Sequence, residues 1–214
     1  MKGLLIKEWH AMGCMGGGVA VIGIVMIGFG LLGRSVDQFI GMITGAVIML
    51  SILPVLSSFT QDQASGWDKY ALSMPLNRKQ ILGSKYLLGV FSALAGSVIN
   101  LAVMGLAWRF VGPETHQENL LAVGITFLLA LVLQGILLPL IYWFGLERAR
   151  LLLLGICLIP AMAVLLLEDT GWFDRFHFPE LSAPMLLLMG VAATAVLMLL
   201  SYGLSLRFFT RKDL

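Results

Sequence analysis

The chain alternates between long uninterrupted runs of apolar residues and short polar segments. A bilayer core about 30 Å thick is crossed by a helix of roughly 20 apolar residues. Six runs approach this length without containing Asp, Glu, Lys or Arg: residues 11–33, 39–59, 86–108, 120–145, 151–167 and 184–206. The fifth is the shortest and has Pro160 inside it. The pattern predicts an all-α membrane protein with six transmembrane helices, forming one domain over residues 1–214.

Lysine and arginine are distributed unequally between the two sides of this predicted topology. Eleven lie on the side that holds both termini and the loops 60–85 and 146–150. The opposite side holds only Arg34, Arg109 and Arg175. Because cytoplasmic loops carry an excess of these residues, both termini are predicted to be cytoplasmic, as an even number of spans requires.

Composition excludes several other classes. Of the 214 residues, 59% are hydrophobic and 12% charged, with a mean hydropathy of +0.94, whereas soluble domains carry about 25% charged residues. A net charge of +2 gives no electrostatic support for a nucleic-acid partner. Cys14 and Cys157 lie inside apolar runs and show neither disulfide-framework nor zinc-site spacing. We therefore expect no metal site.

The residues offer little chemistry of their own. No G-x-x-x-x-G-K-[S/T] motif for ATP occurs, and Gly83-Ser84-Lys85 is only a fragment of one. An intramembrane enzyme needs a nucleophile–base pair or metal cluster at membrane depth, yet His10, His116 and His177 lie at span edges or in loops. Proton relays use Asp, Glu or His inside the bilayer, and the six predicted spans contain none of these residues. A sodium-coupled carrier, however, could use backbone oxygens. An ion-coupled carrier or channel and an intramembrane enzyme therefore stay as alternatives.

Two polar segments on the predicted cytoplasmic side are amphipathic. In residues 1–10, Leu5 and Trp9 are one turn apart with charges between them, which predicts a short interfacial helix. In the loop 60–85, positions 67, 70, 71 and 74 are apolar or aromatic at the spacing of one helix face. Pro75 ends that helix, and Asn77 with Gln80 has capping-box spacing. Such a loop helix either packs on the membrane surface or docks into a groove of a partner protein.

The loop also carries a longer pattern. Residues 62–88 include the run SGWDKYALSMPLNRKQILGSKYL, which resembles the loop between spans two and three of ABC-2 type transporter permeases. The opening MKGLLIKE and the closing SLRFFTRKDL resemble the two ends of those proteins. The resemblance covers the whole chain, and its force lies in the joint order of the three motifs.

Members of that family are the membrane subunits of ATP-driven exporters in the cell membrane, here expected to be a bacterial plasma membrane. They work as dimers, each copy bound to a separate ATP-binding subunit that holds ATP and Mg. The resemblance implies that this chain binds no cofactor and exports an amphipathic or hydrophobic substrate, which in the toxin and bacteriocin exporters is a peptide. It implies that the loop helix is a coupling helix, with these contacts to the ATP-binding subunit: Trp67, Asp68, Lys69, Tyr70, Met74, Arg78, Glu147 and Arg148.

Three further groups are candidates. Gly13 and Gly17, with Cys14 between them, permit close helix approach, and the resemblance allows a dimer contact as well as internal packing. Polar residues inside the spans either bond helix to helix or line a transport pathway: Thr44, Ser51, Asn100 and Gln134. Aromatic residues of the last outer loop either anchor it in the interface or form an outer gate: Trp172, Phe173 and Phe176.

Overall fold

The structure is a computed structural model that describes residues 7–8, 36–67, 77–111, 116–168 and 183–211. Within these ranges it contains five α-helices and no β-strand, which confirms the predicted all-α class. The helices are α1 (Val36–Ser65), α2 (Arg78–Val111), α3 (His116–Phe144), α4 (Leu146–Glu168) and α5 (Ala183–Arg211).

Four of these helices contain a segment long and apolar enough to cross a membrane, so the chain is a multi-pass membrane protein. The segments are Thr44–Ser65, Arg78–Ala102, Leu121–Phe144 and Met185–Thr210. They overlap the second, third, fourth and sixth predicted spans. The fifth predicted span lies within α4, and the first, at 11–33, lies outside the described residues.

Helix α3 is at the centre of the described bundle. It packs against α1, α2, α4 and α5, and its contact with α5 is the most extensive in the bundle. The membrane segment of α2 is 56% buried, whereas that of α5 is only 11% buried. A helix that is apolar on all sides can contact other helices on one face and lipid on the other, so α5 lies at the periphery.

Two glycines in left-handed backbone conformation end helices beside the predicted cytoplasmic loops. Gly145 has a φ of 84°, and its N–H donates to the carbonyl oxygen of Ile141 at 3.0 Å, which is the αL motif that closes a helix. Gly66, with a φ of 62°, follows the last residue of α1. Helix α2 begins after Asn77, whose N–H donates to Gln80 Oε1 at 3.4 Å, the contact that the capping-box spacing predicts.

A proline inside α3 leaves a backbone carbonyl oxygen unpaired within that helix, and α5 pairs it. Pro139 has no N–H, so it cannot donate to the carbonyl oxygen of Gly135. The hydroxyl of Ser201 on α5 donates to that oxygen instead, at 2.5 Å. The approach is close, because a Cβ on Gly135 would lie 2.6 Å from Leu197 Cδ2. A side chain of α5 thereby replaces a backbone hydrogen bond of α3.

Candidate functional site, a buried cluster of charges

Four charged side chains meet beside the ends of α1 and α2 that flank the segment 68–76. Lys85 Nζ lies 2.8 Å from Glu8 Oε1 and 2.5 Å from Asp62 Oδ2. Lys7 Nζ pairs with Asp62 Oδ1 and lies 3.9 Å from Glu8 Oε1. We call Lys7, Glu8, Asp62 and Lys85 the charge cluster. Two cations face two carboxylates, so its formal net charge is zero.

Three of the four charges in the cluster are closed to solvent, whereas the Lys7 side chain is 27% exposed. Glu8 and Lys85 are each 2% exposed, and Asp62 is 4% exposed. Charges buried to this degree must be paired and hydrogen-bonded to be tolerated. Ser58, one turn before Asp62 on α1, supplies further bonds, because its hydroxyl donates to Glu8 Oε2 and accepts from Lys85. Each buried charge therefore has more than one partner.

Aromatic rings border the charge cluster on two sides. Lys85 Nζ lies 4.9 Å from the centroid of the Phe59 ring, and Lys7 Nζ lies 4.1 Å from the centroid of the Trp67 ring. Both distances are within the range of cation–π attraction. Phe59 belongs to the hydrophobic core that α1 to α5 share, and Trp67 packs against that core. The cluster thus joins the N-terminal residues 7–8 to both helices that flank the segment 68–76.

Sequence reasoning missed this site. Glu8 is 54 positions from Asp62, and Asp62 is 23 positions from Lys85. The three residues lie beside predicted spans, where charges are common; Lys85 was counted only to assign sides, and neither acidic residue was paired with it. The available signal was the position of Lys85 directly before an apolar run, together with an acidic residue close to the end of the preceding one.

The predicted coupling residues fall into two groups. Asp68, Lys69, Tyr70 and Met74 lie outside the described residues. Trp67 and Arg78 flank that segment, and both make contacts within the chain. Arg78 Nη1 donates to the carbonyl oxygens of Phe209 at 2.8 Å and Thr210 at 3.1 Å, which are among the carbonyls that the end of a helix leaves unpaired.

The other predicted contacts lie at the start of α4. Glu147 and Arg148 are exposed in its first turn, where an acidic residue is favoured by the helix dipole. Arg150, also exposed, donates to Thr60 Oγ1 of α1 at 2.5 Å. This bond places the first turn of α4 beside the end of α1 that carries Asp62.

Two of the predicted pathway residues meet in the core. Gln134 of α3 donates through Nε2 to the carbonyl oxygen of Ser51 at 2.9 Å and to Ser92 Oγ at 3.2 Å. The hydroxyl of Ser92 donates to the same Ser51 carbonyl at 2.8 Å. These hydrogen bonds hold α1, α2 and α3 together at membrane depth, as polar side chains often do between transmembrane helices.

The other two, Thr44 and Asn100, share one level of the bundle. On the antiparallel helices α1 and α2, Ser92 bonds to Ser51, and one turn further a Cβ on Gly96 would lie 3.3 Å from Val47 Cγ1. One more turn in the same direction along both helices brings Asn100 level with Thr44. Asn100 is fully buried, yet neither its amide atoms nor Thr44 Oγ1 have a hydrogen-bond partner among the described residues. An unsatisfied buried polar group costs about 1–3 kcal/mol.

The remaining candidates lie outside the described residues. These are Gly13, Cys14 and Gly17 of the predicted dimer contact, and Trp172, Phe173 and Phe176 of the predicted outer gate. Among the side chains that the structure does describe, no group of three His, Cys, Asp or Glu residues could hold a metal ion.

A family model described as "ABC-2 family transporter protein" matches residues 3–210. No curated protein and no solved structure matches the chain.

Proposed function

The chain belongs to the ABC-2 family of transporter proteins, and on that premise we propose that it is the membrane-spanning permease subunit of an ATP-driven exporter. The family match extends over almost the whole chain. The 214 residues contain no ATP-binding motif of the G-x-x-x-x-G-K-[S/T] type. ATP and Mg are therefore assigned to a separate ATP-binding subunit, and the functional unit is a dimer of permease chains with that subunit attached.

The segment 68–76 is the proposed docking element. It contains Tyr70 and Met74 on one predicted helix face, with Asp68 and Lys69 beside them. The observation that carries the proposal is that both flanks of this segment are fixed to the bundle. Arg78 bonds to the end of α5, and the charge cluster holds α1, α2 and residues 7–8 together.

Because both of its flanks are fixed to the bundle, the segment 68–76 is suited to transmit motion to α1 and α2. If the segment only lay on the membrane surface, a set of buried ion pairs around its base would serve no purpose in transport. If the segment is seated in a moving ATP-binding subunit, force on it passes to α1 and α2 through buried contacts. Close-packed and ion-paired contacts transmit displacement, because they do not deform continuously.

We infer the substrate class from the polar groups at membrane depth. Away from the charge cluster at the ends of α1 and α2, those described are neutral amides and hydroxyls, including the unpaired amide of Asn100 and hydroxyl of Thr44. An apolar wall with scattered neutral polar groups suits an amphipathic or hydrophobic substrate, and the backbone amides of a peptide would pair with such groups. We propose that Thr44, Ser51, Asn100 and Gln134 line or gate the path of such a substrate.

The test is a double substitution on the docking face. Tyr70→Ala with Met74→Ala removes two predicted anchors, and interface hot spots often cost at least about 2 kcal/mol on truncation. That cost is roughly thirtyfold in affinity. The ATP-binding subunit should dissociate during purification, or remain bound with an ATPase rate that no longer responds to substrate in reconstituted vesicles.

The matched control is Phe91→Ala, since Phe91 is an exposed aromatic residue of α2 in the membrane segment, 51% exposed. It should leave both readings at the wild-type level. Wild-type retention of the partner and wild-type ATPase stimulation in the Tyr70/Met74 variant would refute docking through this segment.

A further inference from the structure

A long groove runs along the surface where α3 and α5 meet. Its volume is about 770 Å³, within the range of roughly 300–1,000 Å³ typical of ligand sites. Pro139 and Trp143 line it from α3, and Val196, Leu200 and Phe208 line it from α5. The groove is distinct from the charge cluster and from the polar contacts of Gln134, since it shares no residue with either.

The lining of the groove suits a hydrocarbon ligand. The one hydroxyl among its residues belongs to Ser201, and that hydroxyl is already bonded to the carbonyl oxygen of Gly135 at 2.5 Å and to the hydroxyl of Tyr86 at 2.6 Å. Apart from the indole N–H of Trp143 at one end of the groove, a polar ligand would therefore find no free side-chain partner along the wall. An alkyl chain needs none, and it fills an irregular apolar groove by dispersion contacts.

The groove has the length of one leaflet. Its lining extends from residue 135 to 143 on α3 and from 192 to 208 on α5. At about 1.5 Å per residue these stretches are roughly 12 and 24 Å long. Half of a hydrocarbon core of about 30 Å is roughly 15 Å, which lies between the two values. The groove thus matches an acyl chain that stands in a single leaflet.

The end of the groove at Trp143 and Phe208 has the features of a membrane interface. The indole of Trp143 is 62% exposed, and its ring stacks on Phe208 with centroids 4.7 Å apart. Aromatic rings of this kind sit at headgroup level. Leu200, Leu204 and Arg207 follow at i, i+4 and i+7, so an exposed cation comes next along the helix face that carries groove residues.

Arg207 differs from Arg78 and Arg150, two other arginines near this end of the bundle. Arg78 bonds to carbonyls of α5 and Arg150 bonds to Thr60, whereas the Arg207 guanidinium has no ion pair or hydrogen bond with the residues that the structure describes. A long cationic side chain at the edge of the hydrocarbon reaches toward phosphate groups, and basic residues there attract anionic lipid.

We propose that the α3–α5 groove binds an anionic phospholipid from the leaflet on the Arg207 side, with an acyl chain along Pro139 and Leu200 and the phosphate at Arg207. By the predicted orientation this is the inner leaflet. The site binds a lipid, independently of what the protein exports, so it stands or falls separately from the docking of an ATP-binding subunit.

The test uses the fluorescence of Trp143 as the reporter at the mouth of the groove. The protein is placed in nanodiscs of zwitterionic phospholipid that contain a tenth of a brominated lipid, either phosphatidylglycerol or phosphatidylcholine. The difference between wild type and Trp143→Phe isolates the signal of this one residue. Brominated phosphatidylglycerol should quench that signal several-fold more than brominated phosphatidylcholine does. Arg207→Gln should reduce this preference about fivefold, which corresponds to about 1 kcal/mol.

Two alanines on α5 provide a matched pair that tests the groove itself. Ala193 lines the groove and Ala195 does not, and both are exposed. Ala193→Phe should abolish the preferential quenching, and Ala195→Phe should leave it unchanged. Equal quenching by the two brominated lipids in wild type would overturn the proposal in favour of ordinary lipid solvation. Weak quenching by both, with a disulfide between two copies of a Leu200→Cys variant, would assign the groove to a second copy of the chain and equally overturn it.

Discussion

Removing the positive charge of Lys85 should be among the most damaging single substitutions in the protein. Lys85 is 2% exposed and contacts Glu8 and Asp62 within 2.8 Å. In Lys85→Met the two buried carboxylates share only Lys7, so one negative charge is left uncompensated. Breaking a buried ion pair from one side costs about 3–5 kcal/mol, a large part of a typical folding free energy of about 5–15 kcal/mol.

A second substitution should restore much of that loss. Glu8→Gln in the Lys85→Met background leaves Lys7 facing Asp62, so the buried charge is balanced again. Replacing a whole buried pair is often neutral or stabilising, and the double variant should therefore be more stable than Lys85→Met alone. The two single costs should exceed the double cost by more than about 2 kcal/mol, which is within the range of coupling energies between residues in contact.

The assay is unfolding in mixed micelles by titration with sodium dodecyl sulfate, followed by the change in tryptophan fluorescence. Lys79→Met is the control, because Lys79 is an exposed lysine of the same helix and forms no ion pair with the described residues. Exposed substitutions of this type stay within about 0.5 kcal/mol. A Lys85→Met cost that is no larger than that of Lys79→Met, or strictly additive costs for Lys85 and Glu8, would refute the buried charge cluster.

Two further outcomes are expected. Ser201→Ala should cost about 1–2 kcal/mol in the same titration, because it leaves the Gly135 carbonyl unpaired. The cost should at least halve in a Pro139→Ala background, where the alanine N–H can bond to that carbonyl. Equal costs in both backgrounds would contradict the replacement of a backbone hydrogen bond by the Ser201 hydroxyl. In a background without the two native cysteines, a membrane-impermeant thiol reagent added from outside should label Thr170→Cys and not Ser65→Cys, and the reverse pattern would invert the predicted orientation.

The helices were predictable from the sequence because an apolar run of membrane length has few alternatives to a helix. Their ends were less so. The second run was assigned to 39–59, whereas α1 extends to Ser65, since backbone hydrogen bonds continue into polar sequence that hydropathy assigns to a loop. The start of α2 at Arg78 was predictable from Asn77 and Gln80, because a cap is a local contact.

The candidate site divides in the same way. Gln134 and Ser51 were identified because a polar residue stands out in an apolar run, and the structure joins them. The contact of Arg78 with an ATP-binding subunit stays a prediction, and the sequence did not indicate its bonds to α5 carbonyls, which join residues more than a hundred positions apart. The charge cluster likewise depends on pairs that are distant in the sequence, such as Glu8 and Lys85. The sequence shows that charged residues are present at the span ends but does not indicate which of them form ion pairs.

The charge cluster also has an electrical consequence. A single charge carried across the membrane potential gains or loses about 2.3 kcal/mol per 100 mV. Two lysines and two carboxylates that move as one body carry no net charge, so their displacement does no net work against the field. A transporter with this joint between its N-terminal residues, α1 and α2 can therefore displace the cluster itself at the same energetic cost in a strongly polarised cell and in a depolarised one.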